Sequence, residues 1–230
     1  MATLKPPNES LSLISTHWPT ITDATKFVLR YAPAIRGYLQ MLLSQPADVD
    51  EALQDILVTV VQRGFTPDRV HRGRFRDYLI AAVRYSAWRT RRRARATQLN
   101  AAQADGLIAP AVAGEEAAWL ADWRQCLLDR AWDRLECRQR LSPGNWHYTV
   151  LKLTADHPDA SSKQLATQVA AAPPLSPAAF RKQLSRARVA FARALVHEVE
   201  RTLEKPTPDS VMEELAELGL LEHVQRYFRC

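Results

Sequence analysis

RFRDYLIAAVRYSAWRTRRRAR, residues 74–95, repeats its apolar side chains with the period of an α-helix. Phe75, Tyr78, Leu79, Ala82, Val83 and Ser86 fall on one inner face, and the helix runs out into a basic end. Around it the charge balance is extreme: residues 63–95 hold eleven Arg against two acids, Asp68 and Asp77. Arg84, Trp88, Arg91, Arg92 and Arg95 can share a second face, with Tyr85 beside them. Guanidinium groups neutralise phosphates, and aromatic faces stack on unpaired bases at about 1–3 kcal/mol each. Arginine interleaved with aromatics therefore suits single-stranded or melting DNA. The bland alternative is a solvated basic face with Trp88 packed inward, since basic runs also mark membrane or acidic protein surfaces.

Towards the N-terminus two more helices are expected. From Thr22 or Asp23 as caps, Phe27, Tyr31, Ile35, Tyr38, Leu39 and Leu42 recur at helical spacing, with Pro33 marking a kink or restart. In PADVDEALQDILVTVVQR, residues 46–63, Pro46 and the acids Asp48, Asp50 and Glu51 suit a positive helix start. Val49, Leu53, Ile56, Leu57, Val60 and Val61 form its apolar stripe, and Glu51, Gln54, Asp55 and Val58 lie on the other face. By itself that polar face is an ordinary solvated one. Residues 1–15 are polar, without periodicity, and read as a disordered N-terminus.

Towards the C-terminus, residues 97–114 are polar and Ala-rich with Gly106, Pro110 and Gly114, and read as a flexible linker between two domains. A helix of about 115–138 follows, with Trp119 or Leu120, Trp123, Leu127, Ala131 and Leu135 in its stripe, ended by Ser142, Pro143 and Gly144. Trp146, Thr149, Val150 and Leu153 mark another, ended by His157 and Pro158. Ser161 with Gln164 is a capping-box pattern before Leu165, Ala166 and Val169. Ser176 as cap and Pro177 at the first helical position then launch a long helix, with Phe180, Leu184, Ala187, Phe191, Leu195 and Val199 on its buried side. Its outer side carries Arg181, Lys182, Arg186, Arg188 and Arg193. A short capped helix feeding a longer basic one is the pattern of a major-groove reader, although an ordinary antiparallel helix pair has the same outline. A further capping-box pattern, Ser210 to Glu213, opens an acidic tail broken at Gly219. That tail, net negative after Lys205, could fold back on a basic face.

Composition narrows the function classes. The 230 residues carry 31 Lys and Arg against 25 Asp and Glu, a formal charge of +6, with 47% apolar residues, an ordinary soluble balance. Only 7 glycines are present where about 7% is typical, so helix should dominate over strand and the fold class is all-α. No apolar run approaches the roughly 18 residues of a membrane span, and the start MATLKPPNES has no signal-peptide core, so a cytoplasmic location and no membrane partner are expected. Cys126, Cys137 and Cys230 form no CxxC pair, arguing against disulfides or zinc. The six histidines, His17, His71, His147, His157, His197 and His223, are scattered, and no phosphate-cradling glycine loop occurs. No metal, cofactor or catalytic residue is expected, and the chain does not read as an enzyme.

The residues in order resemble the extracytoplasmic-function (ECF) sigma factors of bacterial RNA polymerase, in particular the planctomycete-type members. DEALQDIL is similar to the family segment Asp-Leu-x-Gln-Glu-x-Phe, with Gln54 and Asp55 as the Gln-acid pair and Leu57 in place of the aromatic. GRFRDYLIAAVRYSAWRTRRR resembles the segment that binds and opens the −10 promoter element, with Tyr85 and Ser86 where an Asn is usual. Thr16 to Trp18 and the Tyr-x-Pro of Tyr31 to Pro33 resemble the planctomycete-type members. SSKQLA resembles the family's Ser-Tyr-x-Glu-Ile-Ala helix, and FRKQLSRAR, Phe180 to Arg188, its −35 recognition helix, preceded by a longer turn, AAAPPLSP.

The resemblance implies a sigma region 2-like domain at 16–96 and a region 4-like helix-turn-helix domain at 115–204, joined by the 97–114 linker and followed by a helical extension at 205–230. It implies that Glu51, Gln54, Asp55 and Val58 dock on core RNA polymerase. It assigns Arg84, Tyr85, Trp88, Arg89, Arg91, Arg92 and Arg93 to promoter DNA at −10, and Phe180, Arg181, Lys182, Gln183, Arg186 and Arg188 to DNA at −35. The function implied is an alternative sigma factor directing transcription initiation, with an anti-sigma factor or a regulatory kinase as candidate further partners. A stand-alone helix-turn-helix regulator and a helical adaptor with basic surfaces are the other readings these residues allow.

Overall fold

The structure is a computed structural model and describes residues 24–63, 74–98, 113–171, 173–203 and 206–227. Residues 1–15, Thr16 to Trp18, the candidate caps Thr22 and Asp23, and 99–112 of the expected linker lie outside the described residues. So do the side chains of Phe27, Val60, Val61, Tyr78 and Arg95. The described residues are all-helical, with no strand among them: α1 (Ala24–Leu42), α2 (Pro46–Arg63), α3 (Phe75–Gln98), α4 (Ala113–Leu141), α5 (His147–Asp156), α6 (Ser162–Ala166), α7 (Pro177–Glu200), α8 (Pro208–Glu217) and α9 (Leu221–Val224), then a 3-10 turn at Gln225–Tyr227. None of them is long and apolar enough to cross a membrane. The chain forms two compact units, residues 1–126 with 201–210, and 127–200 with 211–230.

In the first unit α1, α2 and α3 pack on one another. α1 runs without interruption through Pro33. Tyr31, Ile35, Tyr38 and Leu39 of α1, Val49, Ala52 and Ile56 of α2, and Phe75, Leu79 and Val83 of α3 are buried. α4 contributes its first half here, because Trp119 and Trp123 complete an aromatic cluster. Tyr31 stacks on Trp123 at 4.9 Å and meets Phe75 edge-on at 5.2 Å, while Trp119 lies 5.4 Å from Tyr38. Such pairs add about 0.5–1.5 kcal/mol each beyond area burial. α4 approaches α1 closely at Gly37, where an added Cβ would run into the Asp122 carboxylate. Burial pushes the Asp122 carboxyl above the usual range. The segment after α7 also belongs to this unit: Phe75 N–H donates to the Thr202 carbonyl at 3.4 Å, and Thr202 and Leu203 are buried.

In the second unit α5, α6 and α7 enclose a core of Val150, Leu165, Ala166, Val169, Phe180, Leu184 and Ala187. Ser161 caps α6 as its sequence suggests, accepting from Gln164 N–H while its own N–H donates to Gln164 Oε1 at 2.9 Å. Ser176 Oγ accepts from Ala179 N–H at 3.1 Å, and Pro177 opens α7. Buried Glu198 of α7 is held by Arg134 of α4 at 3.1 Å. The last long helix differs from expectation. α8 starts at Pro208, with Thr207 Oγ1 accepting from Ser210 N–H at 3.2 Å, so Ser210 is an early helical residue rather than the cap. Proline fits the first helical position because it lacks the N–H that would go unpaired there, which moves the start back to Thr207. Gly219, at φ +66°, ends α8: its N–H donates to Ala216 O and Leu220 N–H reaches back to Leu215 O at 2.8 Å, satisfying carbonyls the helix leaves open.

Candidate nucleic-acid interface

The arginines of α3 are sorted by helical phase into three directions. Arg84 and Arg91, seven residues and thus two turns apart, turn back on α1. Arg84 Nε donates to Tyr38 Oη at 2.7 Å with its guanidinium 5.8 Å from the Tyr38 ring centre, and Arg91 donates to the carbonyl of Leu42, the last residue of α1. Both hold the bundle together, Arg91 by filling a helix-end carbonyl. Arg89 and Arg93, one turn apart, reach sideways to α2. Arg93 Nη1 lies 2.8 Å from Glu51 Oε1 and 3.2 Å from Asp55 Oδ2, and Arg89 Nη2 lies 3.8 Å from the same Asp55 oxygen. Ser86 Oγ donates to Ala52 O at 3.1 Å and fixes the two helices in register at that contact.

The third direction is outward. Tyr85 and Trp88 stack with ring centres 5.7 Å apart and planes 29° from parallel, and the Arg92 guanidinium lies over Trp88 at 5.3 Å. Tyr85 and Trp88 are half-buried and Arg92 is exposed. The result is a three-layer stack along one stripe of α3, with π-faces and a cation in line. A base has the shape and polarisability to join such a stack, and the adjoining guanidinium supplies a phosphate partner.

On α2, the face assigned to docking divides in two. Glu51 and Asp55 are engaged by α3, whereas Gln54 is exposed and Val58 is 41% exposed, one of few large apolar side chains exposed among the described residues. The two acids and the two arginines each stand four residues apart on consecutive helices. That complementary spacing is the one signal in the sequence that could have revealed their pairing.

In the second unit α7 presents Arg181, Lys182, Arg186 and Arg188 to solvent. Arg193 is exposed further along, so the C-terminal helices leave this basic face open even though α9 packs on α7. Phe180, expected among the DNA contacts, is instead fully buried in the core of the unit, where its apolar ring anchors the start of α7. Gln183 is half-buried and its Nε2 donates to Gly144 O at 3.1 Å, tying α7 to the turn after α4. Gln139 of α4 closes the same junction, accepting from Thr149 N–H at 3.0 Å and donating to Thr149 Oγ1 at 2.7 Å. At this junction His147 is held below its ordinary pKa of 6.5, by burial first and then by Arg138 and Arg186. Arg138 and His147 formed no motif in the sequence, because three different elements bring them to Arg186.

Comparison of the chain with protein-family models, with curated proteins and with solved structures finds no match. The site is therefore read from its own chemistry. Among the described residues no three His, Cys, Asp or Glu side chains converge as metal ligands. The thiol of Cys126 is buried and that of Cys137 exposed. What the geometry offers is two basic helical surfaces of different character: a stacked aromatic and guanidinium stripe on α3, and a row of cations on the early turns of α7.

Proposed function

We propose that the protein is a promoter-recognition factor of the ECF sigma type, which joins bacterial core RNA polymerase and directs it to a subset of promoters. The observation that supports this most is the presence, in one all-helical chain, of an outward Tyr85–Trp88–Arg92 stack and of a capped short helix leading into a basic helix. The stack suits unpaired bases of an opened −10 element. Arg181, Lys182, Arg186 and Arg188 suit the groove and backbone of an intact −35 duplex. Exposed Gln54 and Val58 on α2 give the docking face a polar and an apolar contact for a polymerase helix. In this reading the chain binds and positions DNA and catalyses no reaction, and it works in the cytoplasm, where polymerase is.

The test is co-purification with bacterial core RNA polymerase, comparing the native chain with Val58→Glu and Gln54→Ala. Both substitutions lie at exposed positions, so the fold should survive them. Stoichiometric binding that Val58→Glu loses supports the reading. A folded native chain that binds duplex DNA but no polymerase, protecting a palindrome as a dimer, would make it a stand-alone regulator instead.

A further inference from the structure

The junction of α4, α5 and α7 gathers three cationic or potentially cationic side chains. Arg138 is in the last turn of α4, His147 is the first residue of α5, and Arg186 lies on α7 about one turn beyond Gln183, whose side chain is bonded to Gly144. The hydrogen bonds of Gln139 to Thr149 and of Gln183 to Gly144 O fix all three elements at this point. The backbone N–H of His147 is already taken by Asn145 Oδ1 at 2.9 Å, and that of Thr149 by Gln139. Nearby Arg140 is occupied by Glu136 at 2.7 Å, whereas no carboxylate among the described residues engages Arg138 or Arg186, and both are exposed. α6, which also packs on α5, carries Lys163 as its one charged residue, and it is exposed.

Like charges gathered without a counter-charge repel, and here the arrangement is held by neutral hydrogen bonds. One anion placed among them would turn that repulsion into attraction. We infer that Arg138, His147 and Arg186 together hold one phosphate of the DNA backbone, extending the footprint of the second unit from α7 onto the end of α4. This rests on the reading of α7 as a duplex-binding helix. The contact is to the backbone, so it positions α7 without reading sequence. The depressed proton affinity of His147, set by burial first and then by Arg138 and Arg186, agrees with the closeness of the three groups.

The experiment has two readouts on the full chain. In the first, binding of a labelled duplex is followed by anisotropy over a range of salt for the native protein and for Arg138→Gln. The variant should bind severalfold more weakly on every sequence, and its log–log salt slope should be shallower by about 0.9, one phosphate. In the second, the ring proton signals of His147 are titrated by NMR without and with duplex, and its pKa should rise by about one pH unit when a phosphate sits beside it. An unchanged slope in Arg138→Gln, or a His147 titration that the duplex leaves in place, overturns the inference. So does a shift produced by inorganic phosphate at matched ionic strength but not by duplex, which would mark a free-anion site. If the native chain binds no duplex at any salt, the reading of α7 fails as well. If it binds duplex and Arg138→Gln binds equally, only the phosphate contact is wrong.

Discussion

Asp55 joins two surfaces that the resemblance keeps apart, and a double-mutant cycle between Asp55 and Arg93 measures how tightly. Arg93 spans Glu51 at 2.8 Å and Asp55 at 3.2 Å, with Arg89 at 3.8 Å from the same carboxylate. The side chains are 36–50% exposed, so each pair falls in the range of about 0.2–1 kcal/mol measured for solvated ion pairs. Two features push the value upward. One guanidinium serves two carboxylates, so its ordering is shared, and the pairs bridge two helices rather than one. The expected coupling between Asp55→Ala and Arg93→Ala is about 0.5–1 kcal/mol at low salt. It should largely vanish in 1 M NaCl, where the Debye length is about 3 Å. The assay is urea denaturation followed by circular dichroism for the native protein, the two single variants and the double. A coupling of zero at low salt, or one that 1 M salt leaves intact, would refute the claim that these charges cross-link α2 and α3. The cycle also governs how docking is tested. Asp55→Arg would lose two pairs and place a third cation beside Arg89 and Arg93, weakening the first unit by about 1–2 kcal/mol, so its failure to bind polymerase would be ambiguous. Val58→Glu avoids that confusion.

Gly37→Ala should be neutral or destabilising in the native protein, because its Cβ displaces the Asp122 carboxylate. In an Asp122→Ala background the same change should stabilise by up to about 1 kcal/mol through helix propensity, and thermal melts giving equal effects in both backgrounds would exclude the close contact. His147 protonates in the unfolded chain near 6.5 but resists protonation when folded, so the unfolded state binds more protons just below that pH. Stability of the second unit should therefore be full above about 6.5 and decline as pH falls from there towards the lower folded value. His147→Gln should flatten that slope in hydrogen exchange of the α5 to α7 amides, and an unaltered slope would place the acid sensitivity elsewhere.

The helical class and several helix ends were legible because they depend on local chemistry. Ser161 with Gln164, Ser176 with Pro177, and Gly219 act where their side chains or their lack of one would place them. The start of α8 was misread because two overlapping capping patterns exist, Thr207 to Ser210 and Ser210 to Glu213, and the proline between them favours the first. The destination of an apolar stripe was not legible. Trp119, Trp123, Leu127 and Leu135 continue one another along α4, yet the tryptophans pack with Tyr31, Tyr38 and Phe75 in the first unit while Leu127 and Leu135 belong to the second. A helical period states which side is buried and is silent on what buries it.

The same limit applies to charge, and it alters what the basic run can do. Counted along the sequence, α3 looks like a dense phosphate-binding strip. Placed in the fold, Arg84 and Arg91 are held by α1, and Arg89 and Arg93 are countered by two acids of α2. Arg76 is buried at the start of the helix, and Arg92 lies on Trp88. Arg89 and Arg93 are thus countered by α2, while Arg84 and Arg91 keep their charge but are fixed in direction by neutral groups of α1. If α3 holds nucleic acid, the Tyr85 and Trp88 surface adds stacking to its charge, a contact open only to unpaired bases. α7 has the opposite balance, with Arg181, Lys182, Arg186 and Arg188 exposed and its aromatic Phe180 sealed inside, which favours a duplex whose bases are already stacked. On the proposed reading, α3 with seven arginines and α7 with four are fitted to the two states of DNA less by charge than by where their aromatic side chains point.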